Sequence, residues 1–166
     1  SPTMVTLLVI GPQTNIREAL KRDPGIAKKA RFVSMAGSVE IGYGGKKGRS
    51  PEWNVVKDIE AAKAVFAAPW EIIMAPLDSC GTLILRGDRY AKVASAPNVR
   101  AKVLIENFQQ WSNFDKYPKG ESSVLFDTVA AYLVFDESLC EMKTVNLVID
   151  DKGNTEIGRA SCRERV

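Results

Sequence analysis

Hydrophobic residues along the chain gather in short continuous runs, and these runs alternate with segments of helical periodicity. The runs at residues 5–10, 31–37 and 71–78 predict strands that are buried on both faces of a parallel sheet. Between them, residues 16–22 and 59–67 place apolar side chains on one face of a helix. The order strand, helix, strand, helix, strand predicts an α/β fold with an open, mostly parallel sheet and helices on both faces.

Local signals place the ends of these helices. Thr14 or Asn15 is the expected N-cap of the first helix, which ends at residues 23–25, and Asp58 is the expected N-cap of the second. Residues 38–53 form a glycine-rich loop that is longer than ordinary connections. Long loops of this kind are often functional, so we expect this one to contribute to a site.

The segment that follows the third strand is helical by its pattern. Residues 82–114 predict helix with an interruption near residues 96–97. Leu104, Phe108 and Trp111 recur there at i, i+4 and i+7. Apolar residues at helical spacing usually mark burial, so we interpret them as a core stripe rather than as a surface that stacks on a nucleobase.

The end of the chain predicts one more helix and one more strand. Residues 126–134 predict a short buried helix capped by Asp127, and residues 143–149 predict a late strand. Residues 156–166 lose all apolar periodicity, and the first strand has no preceding element to pair with. We therefore expect residues 1–155 to form a domain truncated at its N-terminus, and residues 156–166 to be a non-native tail.

Composition and charge narrow the class of protein. The chain has 166 residues, of which 45% are hydrophobic and 26% charged, and its net charge is +3 without a long basic block. This composition predicts a globular protein, and the small net charge argues against nucleic acid as its main partner. Neither a membrane span nor a signal peptide is recognisable in the sequence, so the expected location is the cytoplasm.

The supply of reactive side chains narrows the chemistry. The chain contains no histidine, and its three cysteines, Cys80, Cys140 and Cys162, include no CxxC pair. This argues against a zinc site and excludes Ser-His-Asp and Cys-His catalysis. Chemistry in this chain must therefore use carboxylates, amides, hydroxyls, lysines or a hard metal ion.

Two places in the sequence offer candidate ligand groups. The first strand stops at Gly11, which leaves the main-chain carbonyl of Ile10 free to bind calcium at the carboxyl end of a sheet. An ordinary strand-to-helix turn is the favoured explanation from these residues alone. In an extended stretch, Glu52 and Asn54 face the same way, with Trp53 turned opposite, and they could hold sugar hydroxyls. A solvated loop with a surface salt bridge is an equal alternative for this pair.

Three segments, VTLLVIGPQTNI from residue 5, PEWN from residue 51 and LFDTVA from residue 125, resemble nucleoside hydrolases of the inosine/uridine-preferring type. The resemblance extends to about residue 155 and implies the C-terminal half of a Rossmann-like nucleoside hydrolase fold. It implies that Glu52 and Asn54 bind ribose near its 5'-hydroxyl. It also implies that Asp127 and the Ile10 carbonyl bind Ca²⁺, in addition to the capping role that the sequence gives Asp127.

The same resemblance implies an activity and shows what is missing for it. Members of the family hydrolyse the N-glycosidic bond of purine and pyrimidine ribonucleosides with a calcium-held water, and a homo-oligomeric parent enzyme is implied. Their catalytic base lies in an N-terminal cluster, D-x-D-x-x-x-D-D, that this chain does not contain. Calcium takes six to eight oxygen ligands, so we expect weak or no metal binding and no turnover by this chain alone.

Two departures from the family pattern and two other functions need consideration. Phe126 stands where a histidine often protonates the leaving base, and residues 44–48 lack an asparagine that the family commonly has. The alternative function is therefore a non-catalytic α/β domain that binds ribosides or a protein partner. A nucleotide-binding dehydrogenase is weaker still, because residues 42–45 lack the GxGxxG spacing between a strand and a helix.

Overall fold

The computed structural model describes residues 3–111 and 114–158 and the backbone of residues 164–165. It divides into two compact units, one formed by residues 1–82 and 126–166 and the other by residues 83–125. The helices of the described part are α1 (Thr14–Arg22), α2 (Trp53–Val56), α3 (Ile59–Phe66), α4 (Leu77–Cys80), α5 (Asp88–Ala94), α6 (Val99–Gln110) and α7 (Phe126–Leu133). The strands are β1 (Val5–Val9), β2 (Ala30–Met35), β3 (Ile72–Ala75), β4 (Thr144–Val145), β5 (Leu147–Ile149), β6 (Thr155–Ile157) and β7 (Glu164–Arg165).

The first unit is built on a sheet with the strand order β1-β2-β3-β7-β4. Strands β1, β2 and β3 are parallel, and Val9 of β1 lies opposite Ser34 of β2. Strand β7 is parallel to β3, and β4 is antiparallel to β7. Strands β5 and β6 form a separate antiparallel pair. The sheet confirms the predicted α/β fold, in which each crossover carries a helix.

Helices cover both faces of this sheet. Phe32 and Ile72 lie on one face, in a cluster that includes residues of α3 and that α1 joins through partly buried side chains. Val33 and Ile73 lie on the other face, in a cluster that includes residues of α4 and α7. The alternation of these strand residues between two clusters explains why the runs are continuously apolar.

The strand β1 differs from its prediction. It was predicted to be buried on both faces, but among the described strands it pairs only with β2, and Leu8 remains 41% exposed. Its continuous apolar pattern was correct for a strand, but a pattern does not reveal whether a neighbouring strand or helix is present. The predicted late strand is also different, because Asn146 separates β4 from β5.

The predicted core stripe is wrong. The helical break near residues 96–97 is confirmed, since α5 ends at Ala94 and α6 begins at Val99. However, Leu104 is 58% exposed and Trp111 is 42% exposed. Phe108 is half-buried and packs against the rings of Trp111, Phe114 and Tyr117, but α6 contains no fully buried residue, so its helical spacing does not mark a core.

The expected tail takes part in strands where the structure describes it. Glu156 and Ile157 belong to β6, and residues 164–165 form β7. Residues 159–163 and 166 lie outside the described part. The origin of residues 156–166 stays a prediction. None of the helices in the described part is long and apolar enough to cross a membrane.

The start of α1 also differs from its prediction and leads to a test. Neither Thr14 nor Asn15 caps the helix, since Gln13 occupies the N-cap position. Gln13 is fully buried, and neither the Oε1 nor the Nε2 atom of its amide has a hydrogen-bond partner among the described residues. Since an unpaired buried polar group costs about 1–3 kcal/mol, we expect Gln13→Met to raise the free energy of unfolding by about that amount. Urea denaturation measures it, and a destabilised variant would contradict the proposed cost of this amide.

Candidate functional site

A cavity of about 440 Å³ opens at the carboxyl ends of β1 and β2. This is the edge of a parallel sheet at which α/β proteins bind ligands. The residues that line the cavity are Ile10, Met35, Tyr43, Glu52, Trp53, Asn54, Phe126 and Asp127. The structure therefore brings together all four residues that the sequence singled out, from three separate segments of the chain.

Ile10 reaches this cavity because of its place in the sheet. It follows Val9, the last residue of β1 that is paired with β2. The Val9 carbonyl accepts a hydrogen bond from the buried Ser34 hydroxyl at 2.9 Å. Ile10 is thus the first residue beyond the paired strand, where the sequence places a free carbonyl.

Glu52 is buried, and its carboxylate accepts hydrogen bonds from backbone amides of two chain segments. It occupies the N-cap position of α2, and its carboxylate accepts from the amides of Asn54 at 2.9 Å and Val55 at 3.4 Å. It also accepts from the Gly37 amide at 3.0 Å, just beyond β2. Burial raises the pKa of Glu52, although the three amide N–H groups oppose this effect. The carboxylate therefore joins the end of β2 to the start of α2.

Asn54 lies in a helix and not in the extended stretch that was predicted. Its Nδ2 donates to the Met35 carbonyl at 2.9 Å, which leaves Oδ1 as an acceptor. Because successive helical residues turn by about 100° and not 180°, Trp53 lines the same cavity and does not point to the opposite side. The prediction that Glu52 and Asn54 share one side is confirmed, and the reason given for it is wrong.

Asp127 does not cap α7, since the helix begins one residue earlier, at Phe126. Its side chain is in the first turn, where the helix dipole favours a negative charge. The partial burial of the carboxyl raises its pKa. In the described part of the chain, the Asp127 carboxylate has no hydrogen-bond or ion-pair partner, so it is available to a ligand.

An aromatic wall of the cavity consists of Tyr43, Trp53 and Phe126, of which the sequence had singled out only Phe126, as the residue at the position of a base-protonating histidine. The Tyr43 hydroxyl accepts a hydrogen bond from the Trp53 amide at 2.8 Å. The Tyr43 and Phe126 rings meet edge to face, with 6.4 Å between centroids. Burial raises the pKa of the Tyr43 phenol, so it keeps its proton at neutral pH. The only sequence signal for Tyr43 is that it is an aromatic residue in the predicted functional loop.

Nearby groups do not complete a calcium site. Calcium takes six to eight oxygens, whereas Glu52 already uses both of its oxygens to hold backbone amides. Among residues 3–111 and 114–158, no three His, Cys, Asp or Glu side chains are placed to hold a metal ion together. Asp127 and Ile10 therefore supply part of a calcium site at most. Burial, and then the charge of Glu52, raise the pKa of Cys80 to about 12, so this buried thiol keeps its proton at neutral pH.

The buried Glu52 carboxyl predicts a pH dependence of stability. Its pKa in the folded chain lies above the ordinary value of 4.5, so the folded chain retains this proton to a higher pH than the unfolded chain. Its stabilising contribution is complete below that ordinary value and is lost as the pH rises through the raised pKa. Relative to Glu52→Gln, the wild-type chain should lose stability as the pH rises from 4.5 through the raised pKa of Glu52, as measured by urea midpoints. A difference that stays constant or grows with pH would contradict this.

Comparisons with known sequences match this chain to one protein family. The sequence model of the inosine-uridine preferring nucleoside hydrolases matches residues 1–166. The pyrimidine-specific ribonucleoside hydrolase RihB of Escherichia coli is 27% identical over 163 residues, which are 96% of this chain and 51% of that protein. Related Shigella proteins are covered over up to 66% of their length. The chain thus spans about half to two thirds of the curated relatives it matches.

Solved structures with the same fold include three nucleoside hydrolases. A plant nucleoside hydrolase has a TM-score of 0.78 at 19% identity, with 97% of this chain and 56% of that chain covered. An inosine-uridine preferring nucleoside hydrolase of Bacillus anthracis has a TM-score of 0.73 at 24% identity, with 99% and 55% covered. A purine-preferring ribonucleoside hydrolase of Gardnerella vaginalis has a TM-score of 0.76 at 22% identity, with 93% and 50% covered. These likenesses establish the fold.

Proposed function

Because the chain belongs to the family of inosine-uridine preferring nucleoside hydrolases, we propose that its cavity is the riboside-binding part of an enzyme that hydrolyses the N-glycosidic bond of ribonucleosides. The products are ribose and a free purine or pyrimidine base. The observation that carries this proposal is the convergence of Ile10, Glu52, Asn54 and Asp127 on one cavity.

The polar side of the cavity suits a donor-rich, uncharged group. A carboxylate has about four acceptor positions, and three of those on Glu52 hold backbone amides, which leaves about one for a hydroxyl. Asn54 offers Oδ1, because its Nδ2 is held by the Met35 carbonyl. No lysine or arginine is among the described residues that line the cavity. Ribose hydroxyls fit these acceptors, whereas a phosphate group would meet negative charge.

The aromatic wall suits a planar aglycone. Aromatic rings prefer edge-to-face or offset contacts with other rings, and a nucleobase provides such a ring. Phe126 carries no titratable proton, so we propose that the base departs without a proton from this position. The wall and the acceptors together match the two halves of a nucleoside.

The residues of this chain act on charge and orientation in the proposed reaction. As the C1'–N bond breaks, positive charge develops on the sugar ring, and the Asp127 carboxylate is the group in the cavity that is free to stabilise it. Glu52 and Asn54 hold the sugar in place. The family resemblance implies a calcium-held water as the nucleophile. The described residues fall short of a calcium site, so no step through the metal is derived for this chain.

We also propose that this chain alone does not turn over a riboside. The direct test is an assay of the purified chain with a nitrophenyl riboside and calcium, combined with NMR titration of the chain with inosine and uridine. We expect no release of nitrophenol, and shifts of the Trp53 and Asn54 amides at millimolar riboside. Turnover would contradict the proposed inactivity. Unchanged spectra with both nucleosides would contradict the riboside site.

A non-catalytic riboside-binding domain is the second candidate, and the presence of Phe126 in the cavity favours it. The open reading frame that encodes this chain distinguishes the two functions. Expression of its whole product should give calcium-dependent hydrolysis if the enzyme assignment is correct. Binding of nucleosides without turnover by that product would favour the second candidate.

A further inference from the structure

Asp78 lies outside the cavity but makes an unusual set of contacts. It is in the first turn of α4, directly after β3. Its carboxylate accepts from the amides of three consecutive loop residues, Val39 at 2.8 Å, Glu40 at 2.7 Å and Ile41 at 3.0 Å. Both carboxylate oxygens are used, and the side chain is half-buried. Three converging amides fix the path of this stretch, because charge-assisted hydrogen bonds are the stronger ones.

Other hydrogen bonds hold both ends of the same loop near Asp78. The buried Ser38 hydroxyl donates to the Ile41 carbonyl at 2.9 Å and accepts from the Ser50 amide at 2.9 Å. The Leu77 amide, one residue before Asp78, donates to the Gly37 carbonyl at 2.9 Å. The residues that follow β3 therefore fix the first residues of the loop, and the bond between Ser38 and Ser50 joins the first part of the loop to its last part.

Tyr43 connects residues 39–41, which Asp78 holds, to the cavity. It lies two residues after Ile41, and its hydroxyl and ring contact the Trp53 amide and the Phe126 ring. A shift at residues 39–41 changes the position of Tyr43, because few backbone torsions separate them. Tyr43 forms the aromatic wall together with the two residues it contacts.

We propose that Asp78 is a positioning residue that sets the aromatic wall through residues 39–41 and Tyr43. This inference rests on the proposed riboside site and deepens it, because it names a residue that controls the fit of the aglycone without contact to it. A carboxyl group with two acceptor oxygens suits this role, whereas an asparagine would turn an N–H group toward one of the loop amides.

The test uses Asp78→Asn in the full chain, with Asp58→Asn as the matched control. Asp58 also accepts from a backbone amide and from side chains, but it caps α3 and does not line the cavity. NMR follows the hydrogen exchange of the Trp53 amide and the ring resonances of Tyr43 and Phe126. In Asp78→Asn we expect exchange at Trp53 to become about tenfold faster and inosine affinity to fall about tenfold. Asp58→Asn should lower thermal stability and leave both signals unchanged.

A second variant at the same position keeps the inference testable if Asp78→Asn does not fold. Asp78→Glu keeps both carboxylate oxygens, one bond farther out, and should give signals between those of the wild type and Asp78→Asn. Wild-type exchange at Trp53 in either folded Asp78 variant overturns the inference. If the wild-type chain binds no riboside, the proposed function fails. The hydrogen exchange of the Trp53 amide and the ring resonances of Tyr43 and Phe126 then still decide whether Asp78 positions the aromatic wall.

Discussion

Replacing Asp127 with asparagine is expected to lower kcat/KM for a ribonucleoside by about 10²–10³-fold, which is the usual effect of removing one preorganised electrostatic contact. The variant is made in the whole product of the open reading frame. The reason for a large effect is that the Asp127 carboxylate lines the cavity without a partner in the described part of the chain. Asparagine has almost the same shape but no charge to oppose the positive charge on the sugar ring.

The same replacement should leave the free energy of unfolding unchanged or slightly higher. Partial burial raises the pKa of Asp127, so the folded chain disfavours the ionised form, and its neutral analogue avoids this cost. Asp88→Asn is the matched control, because Asp88 also lies in the first turn of a helix and does not line the cavity. We expect both variants to fold, and only Asp127→Asn to lose activity. Retained activity would remove Asp127 from the proposed site.

The parts of the fold that the sequence predicted depend on local signals. Asp58 was expected to cap the second helix, and its side chain accepts from the Ala61 amide at 3.0 Å. The central strands were recognisable because Phe32, Val33, Ile72 and Ile73 are all buried, which requires apolar side chains on both faces. Capping involves residues within one turn of a helix, and a strand buried on both faces is visible as a continuous apolar run, so the local pattern is sufficient for both.

The features of the fold and the site that the sequence did not predict depend on contacts with residues far away in the sequence, which a local pattern does not reveal. Leu8 and Leu104 have the spacing of core residues, but no described layer covers them. The strand end at Ile10 and the pair of Glu52 and Asn54 reach the cavity, as family resemblance implied. Tyr43 was missed because its place depends on how the loop folds. Some of the contacts that fold the loop come from Asp78, 35 positions later in the sequence.

Loss of the Phe32 ring should be the most destabilising single change in the sheet. Phe32 is fully buried in the middle of β2, between β1 and β3. Its ring stacks on Trp70 at 5.0 Å and meets Phe66 edge to face at 6.1 Å. Phe32→Ala removes these contacts and leaves a cavity that a rigid sheet does not refill. We expect it to lower the free energy of unfolding by about 3–5 kcal/mol.

Phe135→Ala is the matched control, because the same ring is removed from a residue that is 79% exposed. It should change the free energy of unfolding by less than about 0.5 kcal/mol, as surface substitutions do. Urea denaturation followed by circular dichroism measures both variants. Since β2 also carries Met35 at its end, Phe32→Ala should weaken riboside binding as well, through the sheet and not through contact. Equal effects of the two replacements would mean that β2 is not the centre of this core.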